Sequence, residues 1–281
     1  MLDTHAEIAL AGDGWGAIAA LKSLQRQFQR IAVITADTDV DAMRRSSDRA
    51  VRTFDESSGT VAVCSGFNRL LPPSVLGRKI VFINVHYALL PKYRGHHAAM
   101  WAILNGETTH GMTIHLMDAR MDAGPVLLQR PFTCEGMNSR EMIETCNQLA
   151  EEWLGRTGID FLNGRIVPQP QDESMATWCP RRNLDDCVVD FESGTDHLLR
   201  LFRALVRPYP LPMLRLGGAL LEISSARVLR RPYLCTIGSV VNVDDSGAYI
   251  KVGDGLLVVE GLLRDGAAVR PQEVLRIGQR L

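Results

Sequence analysis

Neither a Cys-x-x-Cys pair nor a His-x-x-x-His pair occurs in this chain. Its six cysteines, Cys64, Cys134, Cys146, Cys179, Cys187 and Cys235, are scattered through apolar or strand-like contexts. That excludes a zinc ribbon or finger and gives no disulfide framework. Reduced thiols, no metal site and a cytoplasmic setting are expected. Charge of one sign is lacking too: 31 lysines and arginines face 32 carboxylates, a net charge of −1. Nothing draws the whole chain toward nucleic acid or an anionic membrane. No apolar run approaches membrane-spanning length. The opening, Met1-Leu2-Asp3-Thr4-His5-Ala6-Glu7, has no secretory-signal pattern. Internal repeats and low-complexity segments are absent. At 281 residues the chain can bury one large core or two smaller ones.

What is present is alternation. Short apolar strands are expected at Ile8 to Ala11, Ile31 to Thr35, Val61 to Cys64 and Ile80 to His86. Ile18, Leu21, Leu24 and Phe28 recur at helical spacing within Ala17 to Phe28. A polar surface helix is expected over Asp41 to Phe54. A short helix over Ala98 to Leu104 stops at Asn105-Gly106. Further strands are expected at Met112 to Met117 and Val126 to Phe132. Asn138 and Glu141 can cap a helix that carries Met142, Cys146, Leu149 and Trp153 on one face. This order predicts an α/β fold, a Rossmann-like and mainly parallel sheet with helices on both faces. Val167 to Ser174 is polar and proline-bearing, which marks a boundary. His197 to Val206 reads as one helix. After Leu214, short strands alternate with Gly217-Gly218, Asp244-Asp245-Ser246-Gly247, Gly253-Asp254-Gly255 and Asp265-Gly266. That is hairpin chemistry and predicts a small antiparallel β-barrel, OB-like. The expected division is 1–170, a linker with its connecting helix over 171–211, and the barrel over 212–281.

The candidate chemistry sits at the end of one strand. Ile80, Val81, Ile83 and Val85 make Ile80 to His86 a buried parallel strand. Side chains alternate, so Asn84 and His86 share a face. They stand at the strand's C-terminal end, where open α/β sheets bind ligands. An amide and an imidazole side by side suit attack on a carbonyl: the amide can bond an oxyanion and the imidazole can handle a proton. Asp122, from a second loop, could orient the imidazole or relay the proton. A competing signal is Gly12-x-Gly14-x-x-Ala17, which follows a strand, opens a helix and has Asp37 about twenty residues on. That pattern supports an NAD-dependent dehydrogenase, but it leaves the residues from Asn84 to Gln129 without a role.

Those residues run Asn84-Val85-His86, then Leu89-Leu90-Pro91-Lys92-Tyr93-Arg94-Gly95, then Gly111-Met112-Thr113-Ile114-His115, then Asp118 to Asp122-Ala123-Gly124-Pro125. Their order and spacing resemble the folate-dependent formyltransferases. The resemblance implies that Asn84, His86 and Asp122 are catalytic and that N10-formyltetrahydrofolate is the formyl donor. It makes Gly66-Phe67-Asn68-Arg69-Leu70-Leu71 similar to a pterin-binding segment, with Phe67, Arg69, Leu70 and Leu71 on one wall. Asp118 lies in the other wall, and Gly124 would let the backbone pass close to the folate. Lys92, Tyr93, Arg94 and His96 would meet an anionic acceptor such as a diphosphate.

Within the family, glycinamide-ribotide formyltransferases lack a second domain, which residues 176–281 would supply. Methionyl-tRNA formyltransferases carry a basic insertion after the second strand, which this chain does not have. Trp178-Cys179-Pro180-Arg181-Arg182, Asp186 and Val189-Asp190-Phe191 resemble the join in sugar N-formyltransferases. The expectation is an N-formyltransferase for a nucleotide-linked amino sugar. Methionyl-tRNA formyltransferase and formyltetrahydrofolate hydrolase are the alternatives of like chemistry. The expected partner is a small nucleotide sugar, with tRNA as runner-up, no membrane, and homodimer formation left open.

Overall fold

Apolar runs of four to six residues set the centre of the first unit. The computed structural model describes residues 7–67 and 69–281, and Asn68 of the expected pterin segment lies outside them. One compact unit holds the residues up to Ala99 with Thr108–Glu135 and Glu141–Arg181. It contains β1 (Ile8–Ala11), α1 (Gly14–Gln25), β2 (Ile31–Ile34), α2 (Thr38–Ala42), β3 (Arg49–Ala50), β4 (Val61–Ser65), α3 (Pro73–Leu76), β5 (Val81–His86) and β6 (Arg94–Gly95). The chain continues through α4 (Ala98–Leu104), β7 (Thr109–Leu116), β8 (Val126–Thr133), α5 (Ser139–Leu162) and β9 (Trp178–Cys179).

The main sheet has the order β3-β2-β1-β4-β5-β7-β8. Its first five strands pair parallel. β7 and β8 add to it antiparallel. Alternation along the strands feeds two cores. Val63 and Ile83 join Leu10, Leu21, Leu24, Ile114 and Leu154 on one face. Ala62 and Phe82 join Ala9, Ala32 and Phe54 on the other. Burial on both faces is why these strands read as unbroken apolar runs.

One expectation is corrected here. The helix expected over Asp41 to Phe54 is instead the short α2, a turn, and β3. Asp48 explains the difference. Its buried carboxylate accepts from the backbone N–H groups of Ile31 and Arg45 and from the Gln25 amide. Such side-chain bonds compete with helix formation. The Gly12-x-Gly14 turn, the competing glycine signal, has partners within the protein. A Cβ on Gly12 would lie 1.7 Å from the Ser65 carbonyl oxygen at the end of β4, so the fold itself requires glycine there. The Asp37 carboxylate caps two helices, accepting from Gly14 N at 2.8 Å and from Asp39 N and Val40 N. The N–H and the acidic group that a dinucleotide would use are thus bonded to each other.

The second unit holds Met100–Glu107, Gly136–Arg140 and Arg182–Leu281. After α6 (Thr195–Ala204) come β10 (Met213–Leu216), β11 (Ala219–Leu229), β12 (Val240–Asp244), β13 (Gly247–Val252), β14 (Gly255–Arg264), β15 (Ala267–Val269) and α7 (Pro271–Val274). The sheet is antiparallel, in the order β10-β11-β14-β13-β12, with β15 on β14. Its four turn signals all close two-residue hairpins. Gly217 and Gly218 have φ of 54° and 84°, and Asp265 and Gly266 have 51° and 80°. Two successive positive φ values define the turn whose twist matches the flanking strands. A register shift around Ser225 bends β11 where Gly261 faces it. The expected antiparallel β domain is present as this bent sheet, which among the described residues runs open from β10 to β12.

Ile83 is fully buried beneath the face that carries Asn84 and His86. Ile83→Ala is expected to lower the unfolding free energy by about 2–5 kcal/mol, read by urea denaturation. A change below about 1 kcal/mol would contradict its place in the core.

Candidate active site

β5 ends in the middle of the main sheet, between β4 and β7, and delivers Asn84 and His86 to the same side. Asn84 is paired with His115 across β7, and His86 with Thr113. Asp122 comes from the loop between β7 and β8 with φ of 51°, a left-handed conformation that is sparse for residues other than glycine. Its carboxylate accepts from Gly95 N at 2.8 Å and from Asn84 Nδ2 at 3.3 Å. His86 Nδ1 lies 3.6 Å from one carboxylate oxygen and His115 Nε2 lies 3.7 Å from the other. The three residues expected to be catalytic therefore meet at one point, and His115 joins them.

The hydrogen bonds fix which ring nitrogen carries a proton. His115 Nδ1 faces the Leu116 carbonyl at 2.8 Å, so Nδ1–H donates there. Its Nε2 is then an acceptor for Asn84 Nδ2 at 3.0 Å. Burial holds His115 well below the usual imidazole value; the Asp122 charge opposes this and His86 adds to it. His115 is thus neutral, which suits its role as acceptor. His86 Nε2 faces the Tyr93 carbonyl at 2.7 Å and donates to it, which turns Nδ1 toward Asp122. Cys179 is buried nearby, and burial with the Asp122 charge pushes its thiol up to about 12. It is no thiolate nucleophile.

His115 and Gln129 were legible as part of a pattern but had no assigned role. A polar residue inside the apolar strand β7, directly opposite Asn84, is the signal that marks His115. Gln129 donates to the Leu90 carbonyl at 2.7 Å and to Thr113 Oγ1 at 3.0 Å. Thr113 in turn donates to the Ala88 carbonyl at 2.6 Å. Together they pin the turn that follows His86.

The residues expected to meet the acceptor divide. Lys92 is exposed, and Tyr93 and His96 are half-buried. Arg94 corrects the expectation: it is 1% exposed. Its fork donates to both oxygens of Glu173 and to Gln171 Oε1, at 2.8–3.2 Å, with the Trp178 ring beside it. Its charge is matched inside the protein and four of its five donors are already used, so it is not placed to bind a diphosphate. Gly124 is also corrected. A Cβ there would lie 1.9 Å from the Leu116 carbonyl oxygen, so the close approach is made by the protein's own backbone. Phe67 and Leu71 pack on the same core cluster as Met117, which leads into the 118–122 loop. Arg69 is exposed, and Leu70 is 67% exposed. The Asp118 carboxylate accepts from Arg120 N at 2.7 Å, closing a turn.

An open α/β sheet with an amide, two imidazoles and a carboxylate at the C-terminal end of a central strand is a site suited to attack on a carbonyl. The formyl transferase family matches residues 18–155, and the C-terminal domain of formyl transferases matches residues 183–278. The chain belongs to the formyltransferase family. It is 32% identical over 219 residues to the methionyl-tRNA formyltransferase of Campylobacter curvus, covering 78% of this chain and 70% of that protein. In fold it is similar to the Helicobacter canadensis N-formyltransferase solved with folinic acid and dTDP-3-aminofucose. That likeness has a TM-score of 0.68 at 16% identity, over 91% of this chain and 99% of that one. It is also similar to Aquifex aeolicus HypX in complex with tetrahydrofolic acid, with a TM-score of 0.66 at 20% identity. That match covers 96% of this chain but spans only 47% of HypX.

The buried histidines make stability depend on pH. Burial holds His110 down at about 4, against 6.5 for a free imidazole, and holds His115 low as well. On unfolding both regain the ordinary value and bind protons more readily. Stability is therefore fully present above about pH 6.5 and is lost as pH falls toward about 4. The strongly lowered carboxylate, Glu7 at about 2, acts below that window. Urea unfolding across the window should show the decline. His110→Phe, which keeps a ring against Phe132, should flatten it. An unfolding free energy constant from neutral pH to about 4.5 would contradict the burial of both rings.

Proposed function

We propose that the chain transfers the formyl group of N10-formyltetrahydrofolate to the amine of a nucleotide-linked amino sugar. The observation that carries the chemistry is the convergence of Asn84, His86 and Asp122 at the end of β5. In this reading the amine attacks the formyl carbon, and the Asn84 amide turns toward the formyl oxygen. The bond it gives up is the longer one, 3.3 Å to Asp122, while His115 keeps the other amide hydrogen. His86 and Asp122 together receive the proton that the amine sheds, and a proton is returned to N10 as the formyl carbon–N10 bond breaks and tetrahydrofolate leaves. Phe67, Arg69, Leu70 and Leu71 form one wall for the pterin, and Asp118 with its loop forms the other. Leu70, an apolar side chain left exposed, fits a flat ligand. Lys92, Tyr93 and His96 remain for the acceptor.

The acceptor reading rests on charge. Thirteen lysines and arginines from Arg182 onward face twelve carboxylates. Arg207, Arg215, Arg227, Arg230 and Arg270 are paired with Glu222, Asp185, Glu260, Asp196 and Glu273. Holding tRNA relies on many unpaired cations and weakens steeply with salt. A diphosphate asks for only a few contacts. The fold likeness to the enzyme solved with dTDP-3-aminofucose supports the same reading. The second reading, methionyl-tRNA formyltransferase, is favoured by the 32% identity to the Campylobacter curvus enzyme. On the first reading residues 1–170 are the catalytic domain, 171–211 the join and 212–281 an accessory β domain. Among the described residues no helix is long and apolar enough to cross a membrane. Six free cysteines, five of them buried, suit the cytoplasm.

Mass spectrometry of formylated products separates the two readings when nucleotide amino sugars and Met-tRNA are offered side by side. Sugar formylation with weak salt dependence is expected, with no product on Met-tRNA. Product on Met-tRNA alone would restore the second reading. An ammonium has no lone pair, so turnover should rise from mildly acid to mildly alkaline pH. His86→Ala should remove nearly all turnover without unfolding the chain, and near-wild-type formylation by that variant would overturn the site.

A further inference from the structure

The loops that carry the site are joined by a segment beyond α5. Gln169 forms a two-way backbone bridge with Val126. Two residues later, the Gln171 side chain sits between both loops. Its Nε2 donates to the Asp122 carbonyl at 2.8 Å and to the Gly124 carbonyl at 2.8 Å. Its Oε1 accepts from Arg94 Nη2 at 2.8 Å and from Arg94 Nε at 3.2 Å. One amide thereby ties the backbone of Asp122 to the side chain that precedes Gly95. Gly95 N is the donor that holds the Asp122 carboxylate, at 2.8 Å. The same segment reaches Tyr93, whose N–H donates to Thr177 Oγ1 at 2.8 Å and whose carbonyl accepts from His86.

We propose that Gln171 is a positioning residue for formyl transfer: its amide fixes the left-handed backbone of Asp122 and sets the carboxylate against His86 and Asn84. The proposal rests on formyl transfer at that cluster. The amide is suited to the task because it donates twice and accepts twice. A left-handed conformation outside glycine persists only where its surroundings hold it. Glu173 neutralises Arg94 and also pairs with the Arg120 side chain of the loop at 3.2 Å, but the bonds to the Asp122 and Gly124 carbonyls come from Gln171. A displacement of the carboxylate by about 1 Å would cost turnover roughly 100-fold.

Two substitutions separate positioning from packing. Gln171→Glu keeps an acceptor for Arg94 but removes both donors to the loop. Gln171→Met removes everything except bulk. Each is measured in the full chain with N10-formyltetrahydrofolate and dTDP-3-aminofucose. The expected result is a loss of kcat of roughly 100-fold, with the donor's KM within about threefold. The amide of Gly95, followed by hydrogen exchange without any substrate, should exchange at least about tenfold faster in both variants. Unchanged kcat, or unchanged Gly95 protection in a folded variant, would overturn the proposal. The exchange arm needs no acceptor. It decides the positioning claim even where the wild type leaves this sugar unformylated, an outcome that overturns the acceptor reading instead.

Discussion

The carboxylate of Asp122 stands among two buried imidazoles, an amide and a backbone N–H, and the rest of the site is arranged to keep it there. Charge in so dry a place is costly unless each oxygen is bonded. One oxygen takes Gly95 N and faces His86, and the other takes the Asn84 amide and faces His115. Neutral His115 then orients Asn84 from behind, as acceptor for the second amide hydrogen. The four side chains form one network, so moving any of them leaves a buried partner unmatched.

The fold makes this arrangement affordable to the chain's conformational freedom by dividing labour. β5 supplies two site residues from a strand locked between β4 and β7. Its opposite side chains, such as Ile83, lie in the apolar core. The third residue comes from a loop, which has no such ladder. A bond from Gly95 N in β6 to the Asp122 carboxylate and bonds from the Gln171 amide to the Asp122 and Gly124 carbonyls replace it. Arg94 matters here through its match with Glu173 and Gln171, which holds the strand that offers Gly95 N.

How much was legible follows from how local each signal is. Asn84 and His86 were readable because strand alternation alone puts them on one face. Asp122 could be named as a loop carboxylate able to orient the imidazole, but its convergence on β5 is a long-range event that only the resemblance implied. His115 lay inside the quoted pattern, yet its role depends on the register of β7 against β5, which spacing does not state. Gln171 sat in a stretch read as linker for its prolines and polarity, and its bonds reach 47 residues or more along the chain. Arg94 was read as a ligand for an anion because its partner, Glu173, is equally distant in sequence. The hairpin turns were legible as turns, most directly at Gly217-Gly218 and Asp265-Gly266, where two adjacent glycines or an Asp-Gly pair dictate their own backbone. The polar helix was not, because Asp48 spends its oxygens on the backbone of β2 and the following turn.

The central claim is that the charge of Asp122, and not only its shape, drives formyl transfer. Asp122→Asn tests it directly, because asparagine tolerates the same left-handed backbone and fills the same space. The variant is assayed for transfer from N10-formyltetrahydrofolate to the acceptor that the wild type uses. A fall in kcat of about 100-fold or more, with the fold unchanged, is the predicted result. A variant that formylates at close to the wild-type rate would contradict the account.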